Sequence, residues 1–176
     1  FMSHDPKYPA NKFSREELIQ RLDNEDFKRR TVSFYRYVIL EDPLAMRNQL
    51  YNRWTELNCL GRIYVAREGI NAQMSVPMHN WDQFVEDLHG IKEFSDIPFK
   101  IAVEDDGKSF IKLLIKVRPK LVADGLTEED YDVTNVGRHL SAKEWNEALK
   151  KDDALVVDMR NFYESEIGHF QDALLP

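Results

Sequence analysis

Cysteine is almost absent from this chain of 176 residues, in which Cys59 is the single one. One thiol excludes an internal disulfide framework and suits a reducing cytoplasm. Cys59 has no Cys-x-x-Cys partner and no neighbouring cluster of Arg or Lys that would lower its pKa. We therefore interpret it as a buried, unreactive side chain and not as a nucleophile.

Several patterns that define other protein classes are also missing. No apolar run approaches the roughly 20 residues of a membrane span, and the first residues lack the apolar stretch of a secretory signal. We therefore expect a cytoplasmic protein with no membrane partner. The 5 histidines follow no metal-binding spacing, so we expect no metal site. No Gly-x-Gly-x-x-Gly or Walker pattern indicates a nucleotide cofactor.

Acidic residues outnumber basic ones, since 31 Asp and Glu against 24 Lys and Arg give a formal net charge of −7. The basic residues are nevertheless concentrated. Residues 108–120 carry bases and no acid, whereas residues 121–132 carry acids and no base. Such asymmetry is typical either of a polyanion-binding patch on an acidic protein or of two adjacent solvated surfaces.

The periodicity of apolar residues predicts an α+β domain. Capping signals at Ser14 and Asp42 and the stop signal Gly90 help to delimit three helices, at about residues 14–28, 42–58 and 80–89. Alternating or β-branched segments predict strands at 31–40, 62–66, 70–76, 97–104 and 110–118, with Gly69 turning a hairpin. The order βαββαβ with one extra strand predicts a ferredoxin-like (acylphosphatase-like) sandwich, with an antiparallel sheet and both central helices on one face.

Four segments follow from this assignment. Residues 1–29 form an N-terminal extension with a short helix, 30–120 the ferredoxin-like domain and 121–138 an acidic linker. Residues 139–176 begin a second, α/β domain, with a helix that starts at the capping box Ser141-x-x-Glu144 and an apolar strand over Ala154–Val157.

Alternation along the strands predicts which side chains the uncovered face of the sheet presents. If Val32 and Phe34 belong to the core, the outward positions form a platform of tyrosines, an amide and bases: Tyr35, Tyr37, Arg62, Tyr64, Asn71, Lys112, Lys116 and Arg118. Ser33, Gln73, Ser75 and Leu114 share this face.

Tyrosines on a flat sheet can stack bases, while Lys and Arg neutralise phosphates, so the platform is typical of a surface that binds single-stranded RNA. Arg67, on the hairpin turn with Asn71, suits a phosphate or a base edge. The alternative is that the second domain packs on this face. RNA held between the two domains would satisfy both interpretations.

The final segment combines an apolar strand with a polar loop that contains Asp158-x-Arg160, Glu164 and Gly168-His169. This pattern resembles the opening of a rhodanese-like domain, whose working residue is a cysteine in a loop well downstream. We interpret Asp158 and Arg160 as a buried charge pair that braces the loop. Glu164 and His169 would cap the next helix or fix a turn. A direct role of Asp158 and Arg160, or of His169 as a general base, is the alternative.

Residues 61–77, 115–122 and 156–170 together resemble the bacterial UPF0176 family, also called TrhO (YceA). Its members join an acylphosphatase-like or ferredoxin-like domain to a rhodanese domain. They are tRNA uridine 5-hydroxylases, oxidoreductases that modify wobble uridine 34 with molecular oxygen as cosubstrate. The resemblance implies tRNA, not DNA, as the partner. It assigns RNA contact to the basic residues and the amide in the matched strands: Arg62, Arg67, Asn71, Lys112, Lys116 and Arg118.

The catalytic cysteine loop of that family has no counterpart in these 176 residues. We therefore assign catalysis to no residue of this chain, expect the catalytic cysteine beyond Pro176, and expect the chain to be inactive alone. No flavin, iron or haem signature accompanies the resemblance. Two other hypotheses are a sulfurtransferase that carries a persulfide on the missing cysteine, and a binding module without catalysis.

Overall fold

The computed structural model of the chain describes residues 12–103, 105–121, 132, 135 and 137–175. Contacts divide the chain into two units, Phe1–Asn135 and Val136–Pro176. Most of the predicted acidic linker and the first part of the predicted N-terminal extension lie outside the described residues. No helix in the described ranges is long and apolar enough to cross a membrane.

The described residues of the first unit form three α-helices and five strands, which all correspond to predicted elements, and two short 3-10 helices at Met78–Asn80 and Lys92–Phe94. In chain order the α-helices and strands are α1 (Arg15–Asp23), β1 (Arg29–Tyr37), α2 (Pro43–Glu56), β2 (Leu60–Ala66), β3 (Gly69–Pro77), α3 (Trp81–His89), β4 (Lys100–Ile101) and β5 (Leu113–Val117).

Local capping fixes where the first two helices begin. Ser14 and Glu17 exchange the reciprocal hydrogen bonds of a capping box at α1, and the Asp42 carboxylate accepts from Ala45 N at 2.8 Å at α2. Helix α1 ends at Asp23, well before the predicted residue 28. The chain leaves the helix there, and Glu25 pairs with the Arg29 guanidinium at 2.6 Å where β1 begins.

The sheet has the strand order β4-β1-β3-β2-β5. Strands β4, β1, β3 and β2 pair antiparallel, as a ferredoxin-like plan requires, but β5 pairs parallel with β2. The prediction of an antiparallel sheet is therefore wrong, because the extra strand joins at the edge opposite β4. The connection between β4 and β5 must cross the sheet, and β5 then runs in the direction of β2.

Strand β4 is much shorter than the predicted strand over residues 97–104. Ile97 closes a turn, with its N–H donating to Phe94 O at 3.2 Å, and Val103 is 96 % exposed. Lys100 pairs with Ser33 and Ile101 with Val32, and among the described residues the backbone hydrogen bonding of this segment with β1 ends at Ala102, whose N–H donates to Thr31 O at 3.0 Å. An edge strand has a partner on one side only, and Pro98 has no N–H to donate, so apolar alternation here did not produce a longer strand.

One apolar core lies between the sheet and helices α2 and α3. Phe34 of β1, Trp54 of α2 and Phe84 of α3 are at most 3 % exposed, and their rings are 5.8–6.3 Å apart. Burying each such side chain stabilises the fold by about 1.5–3 kcal/mol. Since both helices pack on the face that carries Phe34, the opposite face of the sheet receives the alternate residues.

In the second unit, α4 (Ala142–Ala148) and α5 (Phe162–Ile167) each begin with a capping box. The predicted strand Ala154–Val157 is reduced to one parallel bridge between Val157 and Leu174, and Leu155 is 70 % exposed. A strand needs paired neighbours along its length, and the described part of this unit offers it Leu174 alone. The strand prediction is therefore wrong for this structure.

Gly69 is required by a close approach of strands, not by the turn for which it was predicted. The turn residues are Arg67 and Glu68, and Gly69 is the first residue of β3. Its φ is +138°, and a Cβ there would lie 1.9 Å from Arg36 O of β1. Any side chain would push β1 and β3 apart at this end of the sheet.

We therefore expect Gly69→Ala to lower the free energy of unfolding by about 2–4 kcal/mol, from backbone strain and the clash with β1. Urea unfolding followed by circular dichroism measures this change. Gly137→Ala is the matched control, because a Cβ at Gly137 meets nothing within 4 Å. Equal stability of the two variants would contradict this account of Gly69.

Candidate nucleic-acid interface

Strand pairing arranges the side chains opposite α2 and α3 in cross-strand rows. The first, which we call the tyrosine row, contains Tyr35, Asn71, Tyr64 and Lys116 from β1, β3, β2 and β5. The second, the arginine row, contains Lys100, Ser33, Gln73, Arg62 and Leu114. Paired residues in such rows lie about 4.5–5.5 Å apart at Cα. We call the two rows together with Arg118 the open face.

The open face is accessible and basic. Tyr35 is 52 % exposed, and Tyr64 is half-buried. The amides and all the cations of the face are exposed: Arg62, Asn71, Gln73, Lys100, Lys116 and Arg118. The two rows contain no carboxylate. Cations without a neighbouring carboxylate in the same rows are the composition expected of a locally positive surface, although the chain as a whole is acidic.

Arg118 follows β5 directly and belongs to the same surface. Its N–H donates to Val65 O at 2.8 Å, which continues the pairing of β5 with β2. Its guanidinium carbon lies 5.1 Å from the centre of the Tyr64 ring, within cation–π range. Arg118 therefore lies beside the tyrosine row, next to Tyr64 and Lys116.

One end of this side of the sheet is covered by the connection between β4 and β5. Thr31 Oγ1 donates to Asp105 Oδ1 at 2.8 Å, and Ser75 Oγ donates to Gly107 O at 2.6 Å. The hydrogen bond from Thr31 lowers the pKa of the Asp105 carboxyl. Ser75, which alternation placed on the exposed face, is consequently fully buried. The connection therefore bounds the accessible surface at the end of the sheet that carries Thr31 and Ser75.

Three predicted residues lie outside the open face. Arg67 is exposed in the turn between β2 and β3, and Tyr37, half-buried, pairs with Gly69 beside that turn. Lys112 is exposed just before β5, where its carbonyl accepts from Gly61 N at 3.0 Å. Arg67 and Lys112 therefore lie at opposite ends of the sheet.

Lys100 and Gln73 complete the arginine row, but the sequence prediction left both out of the candidate site. Gln73 was placed on this face, and its exposed amide beside Asn71 is the signal that could have included it. Lys100 alternates with Phe99 and Ile101, which put it on the polar side of its strand. The position of Lys100 beside Ser33 depends on the pairing of β4 with β1, and no local sequence pattern specifies that pairing.

A protein-family model matches the part of the first unit that contains the sheet. The model described as the UPF0176 acylphosphatase like domain matches residues 29–121. The chain belongs to this family. The match begins at the first residue of β1 and contains every residue of the open face.

Curated relatives extend the similarity into the second unit. The chain is 57 % identical over 166 residues to a protein of Leptospira interrogans serogroup Icterohaemorrhagiae serovar Lai (strain 56601) named tRNA uridine(34) hydroxylase, covering 94 % of this chain and 45 % of that protein. Proteins of the same name from Yersinia enterocolitica (serotype O:8 / biotype 1B, strain NCTC 13174 / 8081) and Escherichia fergusonii (strain ATCC 35469) are 47 % and 45 % identical over 165 residues, or 93 % of this chain and 47 % of each relative. The chain thus spans about half the length of the curated relatives it matches.

In this UPF0176 domain, Cys59 lies in the core and not on the open face. It is 2 % exposed, and burial raises the pKa of its thiol to about 12. The thiolate, which is the reactive form, is therefore scarcely populated near neutral pH. The interpretation of Cys59 as a buried, unreactive thiol agrees with this geometry.

The four predicted polar residues of the second unit make hydrogen bonds at the two ends of α5. Arg160 Nη2 donates to Asp158 Oδ2 and to Gly168 O, each at 2.6 Å. The Asp158 side chain is 7 % exposed but that of Arg160 is 49 % exposed, so the predicted pair forms but is not buried. Glu164 accepts from Asn161 N at 3.2 Å in the capping box of α5, and His169 Nδ1 lies 2.8 Å from Ser165 O. These contacts hold the loops before and after the helix.

Hydrogen bonds from Arg160 hold the pKa of Asp158 at about 2, below its ordinary value of 3.8. Because the folded pKa is the lower one, the ion pair stabilises the unit above pH 3.8, and this contribution is lost as the pH falls towards 2. We expect a carboxyl titration by NMR to give a midpoint near 2, which Arg160→Gln raises towards 3.8. Lys143→Gln is the control and should leave the midpoint unchanged. An unshifted Asp158 in the unaltered chain would contradict the pairing.

Proposed function

We propose that this chain supplies the tRNA-binding domain of a tRNA uridine 5-hydroxylase that acts on wobble uridine 34 in the cytoplasm. The observation that carries the proposal is the open face, where tyrosines, amides and bases share two rows without a carboxylate. The printed name of the relatives, at 45–57 % identity over nearly the whole chain, supports tRNA as the partner.

The chemistry of the open face suits RNA in particular. Aromatic rings can stack on unpaired bases, Lys and Arg attract phosphates, and amides can bond to base edges. A protein partner of this face would need carboxylates to pair with Arg62, Lys100, Lys116 and Arg118, while RNA supplies one negative charge per nucleotide. Arg67 and Lys112, at the two ends of the sheet, would extend the contact along the phosphate chain.

The second unit is proposed to begin a rhodanese-like domain. The support is the Asp158–Arg160 pair directly after the parallel bridge of Val157 with Leu174, as at the start of a parallel α/β sheet. On this proposal the catalytic cysteine belongs to the remainder of the whole protein, with molecular oxygen as cosubstrate. The described residues contribute binding and no catalytic group.

The first test is binding of bulk tRNA to this chain at several salt concentrations. We expect a salt-dependent affinity, and each of Lys116→Ala and Arg118→Ala should reduce the slope of log K against log salt by roughly 0.7–1, because each removes a phosphate contact. Lys92→Ala and Arg53→Ala, both outside the open face, are the matched controls. Equal effects of all four substitutions would contradict the placement of the site.

The activity is tested in cells, by mass spectrometry of nucleosides from bulk tRNA with and without the gene for the whole protein. We expect 5-hydroxyuridine and its derivatives to disappear on deletion and to return on complementation. If they persist while a thiolated nucleoside disappears, the sulfurtransferase alternative is correct and hydroxylation is not the reaction.

A further inference from the structure

The two tyrosines of the tyrosine row have different surroundings. Tyr35 is 52 % exposed, and among the described residues no aromatic ring or guanidinium stacks on it. Tyr64 is half-buried and lies under the Arg118 guanidinium at 5.1 Å. A base can therefore stack on Tyr35 directly, whereas at Tyr64 it would have to compete with Arg118.

The Tyr64 end of the row suits a phosphate. The guanidinium carbon of Arg118 lies over the Tyr64 ring, and in the described part of the chain no hydrogen bond engages its side-chain N–H groups. Lys116 is the neighbour of Tyr64 in the same row. In the described part of the chain no ion pair engages Arg118 or Lys116. Two adjacent cations without a carboxylate partner form a site for one or two phosphate groups.

Asn71 lies between these two ends. It pairs with Tyr35 on one side and with Tyr64 on the other, and its side chain is exposed. A carboxamide offers one acceptor and two donor hydrogens, the combination needed for paired hydrogen bonds to the polar edge of a base. A base stacked on the neighbouring Tyr35 ring would bring such an edge towards Asn71.

We infer that Tyr35 and Asn71 form a site that reads an unpaired base, and that Tyr64, Arg118 and Lys116 form the phosphate site of the same row. The open face would thus recognise RNA as exposed single-stranded nucleotides and not as a double helix, because a base inside a duplex cannot reach a side-chain ring. The inference rests on the proposed function. Tyr64 acts through Arg118 and is a positioning residue.

Replacing tyrosine by leucine at Tyr35 and, separately, at Tyr64 distinguishes base stacking from phosphate binding. Fluorescence anisotropy would measure binding of labelled oligouridylate, oligoadenylate, oligocytidylate and an RNA duplex at several salt concentrations. We expect Tyr35→Leu to weaken single-strand binding about 5- to 150-fold, with little change in the salt slope or in duplex binding. Tyr35→Phe keeps the ring and should keep the affinity. Tyr64→Leu should weaken all the single strands by the same factor.

Asn71→Ala provides the second readout. We expect it to reduce the differences in affinity among the three single-stranded RNAs while the salt slope stays unchanged, because a base contact is lost and no phosphate contact is. Asn52→Ala, on an exposed position of α2, is the matched control. Urea midpoints of all variants establish that each remains folded.

Three outcomes would overturn the inference: full affinity of Tyr35→Leu, equal weakening of duplex and single strands by it, or loss of affinity in Tyr35→Phe. If the unaltered chain binds these RNAs and one of these three outcomes is observed, the proposed function stands. Only the assignment of a base site and a phosphate site within the tyrosine row is then wrong. If the unaltered chain binds neither these RNAs nor bulk tRNA, the proposed function itself fails.

Discussion

The register of strand β3 between β1 and β2 is the constraint on which the rest of the first unit depends. The pairing that puts Phe34, Ala72 and Ile63 side by side beneath the helices puts Tyr35, Asn71 and Tyr64 side by side on the opposite face. A slip by one residue would exchange the two faces. Burial of the core therefore fixes the position of the open face, and no separate interaction is needed to assemble its tyrosines and amides.

The extra strand β5, together with Arg118 directly after it, gives the open face two of its four cations and one of its limits. Its parallel pairing with β2 brings Lys116 beside Tyr64, and the chain then places Arg118 over the same ring. The connection that leads to β5 crosses the sheet and buries Ser75. The same end of the sheet is braced by Arg29, whose guanidinium donates to Glu25 and to the carbonyls of Asn58 and Ser75. The added strand thus supplies Lys116 beside Tyr64, and the connection that leads to it delimits the surface.

Local signals predicted much of this fold, and pairing between distant segments accounts for the errors. The capping boxes at Ser14 and Ser141 and the alternation in β3 depend on neighbours in sequence, and the structure contains them. The parallel direction of β5, the shortness of β4 and the position of Lys100 depend on which edge of the sheet each segment joins. The prediction of a strand at Ala154–Val157 was wrong for the same reason, because apolar character does not supply a paired neighbour.

The central proposal is that the open face is the surface that binds tRNA. Ultraviolet cross-linking of the unaltered chain to bulk tRNA, with the cross-linked residues identified by mass spectrometry, tests it without any substitution. We expect cross-links at Tyr35, Tyr64 and their neighbours in β2 and β3, and none on α2 or α3. Cross-links confined to the helices, or none above those of a protein that does not bind RNA, would contradict it.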